Sequence, residues 1–134
     1  MLHHITLHLA RCAEYPEGSA RHGYEMTAPL DDKGLLDAAE WKATRSKCRV
    51  RRFWAGQPDR FGVLVHRPGG SGGATWLIDY DPARTTDDEA GYRLNKHHFL
   101  PGEYVSIQDE DEKLHTFQVM SVRSVKQAAS AETR

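Results

Sequence analysis

Alternation of apolar and polar residues over short runs limits the fold of this chain more than any other feature. From Leu114 to Met120, Leu114, Thr116, Gln118 and Met120 alternate with His115, Phe117 and Val119. Near the start, Ile5, Leu7 and Leu9 alternate with His4, Thr6 and His8, and Val105 and Ile107 oppose Tyr104 and Ser106. A two-residue period puts successive side chains on opposite faces of a strand, so each run predicts a strand with one buried face. CRVRRFW (48–54), RFGVLVH (60–66), ATWLIDY (74–80) and YRLNKHHF (92–99) read the same way, and Tyr24 to Ala28 is a short strand stopped by Pro29. The segments 14–23, 29–34, 57–59, 68–73 and 81–91, rich in Gly, Pro, Ser or Asp, read as connections.

One helix interrupts the series. It begins at Asp37, whose carboxylate can cap the first turn, and Glu40 is spaced to reach back in a capping box. Ala38, Trp41 and Cys48 fall near one face, which predicts Trp41 packed against a sheet. The expected fold is therefore mainly β: a small antiparallel β-barrel or curled sheet of seven to eight short strands with one early α-helix. Strand and helix do not alternate, which excludes a doubly wound parallel sheet. Residues 1–125 read as one β-rich domain and 126–134, with nothing to bury, as a flexible C-terminal tail.

No apolar run approaches the ~20 residues that span a bilayer, so the chain reads as soluble, with no membrane partner. The N-terminus lacks a basic leader, and two cysteines, Cys12 and Cys48, are too few for a disulfide framework, so the expected location is cytoplasmic. A net charge of −1 argues against a protein devoted to wrapping nucleic acid. Charge is nonetheless uneven. Basic residues crowd 42–67 against the single acid Asp59, and acids predominate from Asp79 to Glu112.

HRPGGSGGATWLIDYD (66–81) resembles a phosphate-binding loop only at first glance. Neither the Walker nor the dinucleotide spacing is present, and a β-branched, aromatic segment follows where those motifs need a helix N-terminus. A glycine-rich connection between two strands is expected there. Eight histidines are present, but no two have metal-ligand spacing; a site assembled from separate strands would draw on His66, His98 and His115. Cys48, at a helix end, is expected to be a packing residue.

The segment Arg49–Trp54 is the most informative for function. Arg49, Arg51 and Phe53 share one face and Val50, Arg52 and Trp54 the other, so guanidinium and aromatic groups are neighbours on both. Arginine suits planar anions and stacks on rings. The leading expectation is a binding module for an anionic ligand, either a phosphorylated metabolite or single-stranded nucleic acid. Arg49, Arg51, Arg52 and Arg67 are the expected anion contacts, with Trp54 and Trp76 as walls and His66 beside them; no cofactor is called for. The competing reading is that the same arginines pair with Asp79, Asp81 and the acidic segment across the sheet. Two other classes stay open: an acid–base or metal-dependent enzyme using His66 with Asp79 or Asp81, and a subunit that pairs through a sheet edge, as a homo-oligomer or with another chain.

Overall fold

A computed structural model describes residues 1–70, 73–80, 89–91, 97–109 and 113–125, with the side chains of 68–70, 73–75 and 89–91 left aside. Eight strands pair antiparallel in chain order: β1 (Leu2–Leu9), β2 (Ser19–Pro29), β3 (Arg49–Trp54), β4 (Gln57–Gly70), β5 (Gly73–Asp79), β6 (Glu89–Gly91), β7 (Tyr104–Gln108) and β8 (Leu114–Ser124). β8 returns to β1 through pairs such as Ile5↔Val122 and His8↔Gln118, which closes the ring. The thinnest seam lies between β6 and β7, joined at Ala90↔Gln108. The helix α1 (Ala38–Thr44) and a single 3-10 turn (Arg45–Lys47) stand between β2 and β3. The antiparallel barrel with one early helix is thus what the alternation predicts. No helix among the described residues is long and apolar enough to cross a membrane.

The inward set follows the two-residue period. Ile5, Leu7 and Leu9, Tyr24, Met26 and Ala28, Val50, Leu64, Trp76 and Ile78, Val105 and Ile107, and Phe117 and Val119 form one buried cluster. Each large apolar side chain withdrawn from water contributes about 1.5–3 kcal/mol, which is what holds the ring shut. An eight-stranded barrel is just wide enough for side chains to fill, or to hold one small ligand.

The meander gives the barrel two unlike ends. At one end α1 lays Trp41 across the ring. Trp41 is 7% exposed, its indole N–H donates to the Leu64 carbonyl at 2.9 Å, and its ring meets Trp76 and His66 edge-on at 6.2 and 5.9 Å. Leu30 and Phe99 are also buried, and the Phe99 N–H donates to the Gly34 carbonyl at 2.7 Å. The opposite end, here called the mouth, carries the end of β1, the start of β2, the β3–β4 turn, the end of β5 and the β7–β8 turn.

Several local expectations are corrected. Ser19–Gly23 are strand rather than loop, because pairing with β1 overrides their composition; a register shift at His8/Leu9 accommodates them. The β3–β4 connection is Ala55–Gly56, not 57–59: Trp54 pairs with Gln57, and Gly56 takes the positive φ of 83° that a two-residue turn requires. Glu89–Gly91, expected within a loop, form β6, and His97–Phe99, expected in a strand, have no regular structure. Asp37 caps α1 by accepting the Glu40 N–H at 3.1 Å, but the reciprocal half of the capping box is missing. The Glu40 carboxylate pairs with the N-terminal ammonium instead, and the Asp37 N–H donates to the Pro29 carbonyl. The glycine-rich segment joins β4 to β5 with Gly70 paired to Gly73. Ser71, Gly72, Asp81, the rest of 81–88 and the expected tail 126–134 lie outside the described residues.

Candidate functional site

β3 sorts the expected site residues onto two surfaces. Val50 is buried in the barrel, so Arg52 and Trp54, two and four residues on, also turn inward, while Arg49, Arg51 and Phe53 face out. On the outer face Arg51 donates to Glu25 at 2.5 Å and to Asp59 at 2.8 Å, with its guanidinium 4.8 Å from the Phe53 ring centre. Those bonds, the one to Asp59 first, push the Arg51 pKa up. Its partners are therefore acids on β2 and β4, not Asp79 or the acidic segment that followed from charge asymmetry. Arg49, Arg51, His4 and Phe61 border a shallow groove of about 230 Å³ on this outer wall.

Inside, Arg52 stands directly across from Arg60 of β4. The guanidinium of Arg52 lies 4.4 Å from the Trp54 ring centre, and that of Arg60 lies 4.0 Å from the ring centre of Tyr80. Like charges opposed across two strands repel, and aromatic faces offset part of that cost. Gly62 makes the second stack fit. A Cβ there would stand 3.0 Å from the Tyr80 ring and 2.6 Å from the Asp79 carbonyl oxygen, so only glycine leaves the ring its place.

Two histidines flank Trp54, with ring centres at 4.5 Å for His22 and 5.5 Å for His115. His22 is 2% exposed; its Nδ1 meets Ser19 Oγ at 2.7 Å and its Nε2 meets the Tyr15 hydroxyl at 3.2 Å. Burial pushes its pKa down, Arg52 and Arg21 push the same way, and Glu14 opposes them, so the ring is held toward its neutral form. His115 lies on the inward face of β8 with Phe117 and Val119 and is partly open to solvent, its side chain 27% exposed. Its Nε2 meets Asp109 Oδ2 at 3.0 Å, and Asp109 Oδ1 accepts the Lys113 N–H at 2.9 Å, so the β7–β8 turn fixes the carboxylate. Nδ1 of His115 has no hydrogen-bond partner among the described residues.

The mouth thus brings together Arg52, Arg60, Trp54, Tyr80, His22, His115 and Asp109. Of the residues expected to contact an anion, only Arg52 and Trp54 are here. His66 and Trp76 stack on each other at 4.6 Å at the end covered by α1, and Arg67 is exposed on the outer wall. His66 and Asp79 do not meet: His66 pairs with Trp76 and turns inward, whereas Asp79 pairs with Val63 three positions away on the outward face. His66, His98 and His115 do not converge either, since His98 bonds the Lys33 carbonyl; no group of three or more metal-binding side chains occurs among the described residues. Cys48 is fully buried, and burial raises its thiol pKa, as suits a packing residue. The sequence offers His115 only as a metal ligand and Arg60 only within the basic run 42–67, although the period already puts His115 on the face of Phe117 and Arg60 on that of Leu64; Tyr80, His22 and Asp109 were missed.

No protein-family model, curated protein or solved structure matches this chain.

Proposed function

We propose that the barrel mouth binds a small anionic ligand, a phosphorylated metabolite. The observation that carries this reading is the Arg52–Arg60 pair, placed side by side across β3 and β4, each guanidinium laid on an aromatic ring. Two such groups, preset by stacking, offer a fork of donors to one phosphoryl group and lose little side-chain freedom in doing so. An inward-facing pair in a closed eight-stranded ring favours a small molecule over single-stranded nucleic acid, which needs an exposed basic track with free aromatic platforms. Pairing through a sheet edge is disfavoured, because β8 returning to β1 uses the edges a partner strand would need. Two unbridged cysteines, Cys12 exposed and Cys48 buried, agree with a reducing, cytoplasmic setting.

The test is calorimetric titration at low salt with pyrophosphate, a sugar phosphate, a nucleoside monophosphate and a single-stranded oligonucleotide. The small phosphates are expected to bind the wild type. Arg52→Gln or Arg60→Gln is expected to remove about 1.5–3 kcal/mol, a loss of tenfold or more in affinity, while Arg51→Gln on the outer wall changes nothing. Binding by none of these anions, or an equal loss in Arg51→Gln, overturns the proposal.

A further inference from the structure

An imidazole set as a proton acceptor stands at the same mouth. Asp109 engages Nε2 of His115 at 3.0 Å and is itself held by the Lys113 N–H, an arrangement that fixes the tautomer with the proton on Nε2. The lone pair is then on Nδ1, the nitrogen with no hydrogen-bond partner among the described residues. Trp54 at 5.5 Å and Phe117 at 6.4 Å wall the ring, so its orientation is set, and its partial exposure lets water reach it. Arg52 borders the same Trp54 ring at 4.4 Å. Arg52 and His115 thus share the Trp54 ring as a neighbour.

We propose that this site hydrolyses a phosphodiester, with His115 as general base and Asp109 as its positioning residue. The inference rests on the anion site proposed above. A water molecule attacks phosphorus, forming the new P–O bond, and gives its proton to Nδ1 of His115. The bond from phosphorus to the leaving alcohol breaks with its electron pair, and the alkoxide takes a proton from solvent; the imidazolium then returns its proton to water. No oxidant, reductant or co-reactant is consumed. Arg52 and Arg60 offset the charge that builds on the two non-bridging oxygens. A diester is the substrate class because phosphomonoester transfer runs through a loose transition state with little bonding to the nucleophile, in which a base has little to contribute.

The experiment follows release of 4-nitrophenolate from bis(4-nitrophenyl) phosphate and from 4-nitrophenyl phosphate, using the full chain, with pyrophosphate binding measured on the same samples. The diester is expected to turn over and the monoester to lag well behind. His115→Gln is expected to lower kcat by about 10²–10⁴-fold with little change in KM. Added imidazole is expected to restore part of the activity of His115→Ala, which repair of a merely structural defect would not do. Asp109→Asn is expected to lower kcat and displace the pH profile, with Asp109→Glu recovering part of both. Should His115→Gln fail to fold, the Asp109 pair and the imidazole effect decide. Arg52-dependent pyrophosphate binding without diester turnover overturns hydrolysis and leaves the anion site standing; absence of both overturns the two together. Turnover unaffected at His115 and Asp109 also overturns it.

Discussion

Replacing Trp41 with Phe separates the two ends of the barrel. The indole N–H donates to the Leu64 carbonyl at 2.9 Å, and the side chain is almost wholly buried against Trp76 and His66. Phe keeps a ring in place but deletes the donor; leaving a buried acceptor short of a partner costs about 1–3 kcal/mol. The smaller ring also gives up apolar burial worth about 1 kcal/mol and part of the edge contacts. The total, about 2–4 kcal/mol, is a large share of the 5–15 kcal/mol typical of a domain. At this chain length it lowers Tm by about 10 °C. Thermal melts followed by far-ultraviolet circular dichroism measure the shift. Pyrophosphate affinity, measured where both proteins are folded, is expected to stay unchanged, because Trp41 lies at the end opposite Arg52 and Arg60. A Tm within about 2 °C of wild type would refute the assigned role of the indole bond. An affinity loss as large as that of Arg52→Gln would refute the separation of a structural end from a binding end.

Gly62→Ala forces a Cβ to within 2.6 Å of the Asp79 carbonyl oxygen and 3.0 Å of the Tyr80 ring. It is expected to cost about 1–3 kcal/mol in urea denaturation and to weaken pyrophosphate binding by displacing the ring under Arg60. His22, with its folded pKa pushed below the ordinary value by burial, contributes stability that is complete above that value and is lost as pH falls from it toward the lowered one. Tm is therefore expected to drop on going from neutral to mildly acidic buffer, and His22→Gln to flatten that part of the profile. Arg51→Gln removes two outer ion pairs whose side chains are about one-third exposed, so no more than about 1 kcal/mol is expected in urea melts.

Strand identity was legible wherever one face is buried. Ile5, Leu7 and Leu9, or Phe117 and Val119, announce their face because a one-residue slip would expose them all. Closure of the ring was not legible, since pairs such as His3↔Ser124 join the two ends of the chain and leave no local signature. Ser19–Gly23 have the composition of a loop and are strand because β1 and β3 lie beside them. The same reason explains the partial reading of the site. Arg49–Trp54 carries arginine and aromatic residues on both faces, so alternation alone could not say which face looks inward. Burial of Val50 decides it in favour of Arg52 and Trp54. Arg60, Tyr80, His22, Asp109 and His115 come from other strands and turns, and only the closed topology assembles them. The glycine-rich stretch looked important because His66 and Arg67 enter it. It joins β4 to β5, sending His66 inward to Trp76 and Arg67 outward.

Three tryptophans report on the two ends: Trp54 sits at the mouth between His22 and His115, whereas Trp41 and Trp76 pack at the end closed by α1. The most direct test is a ¹H–¹⁵N titration of the three indole N–H signals with pyrophosphate, assigned by single Trp→Phe variants. The account predicts a saturable shift of the Trp54 signal, abolished in Arg52→Gln, with the Trp41 and Trp76 signals unmoved. A shift confined to Trp41 or Trp76, or no saturable shift at Trp54, would contradict it.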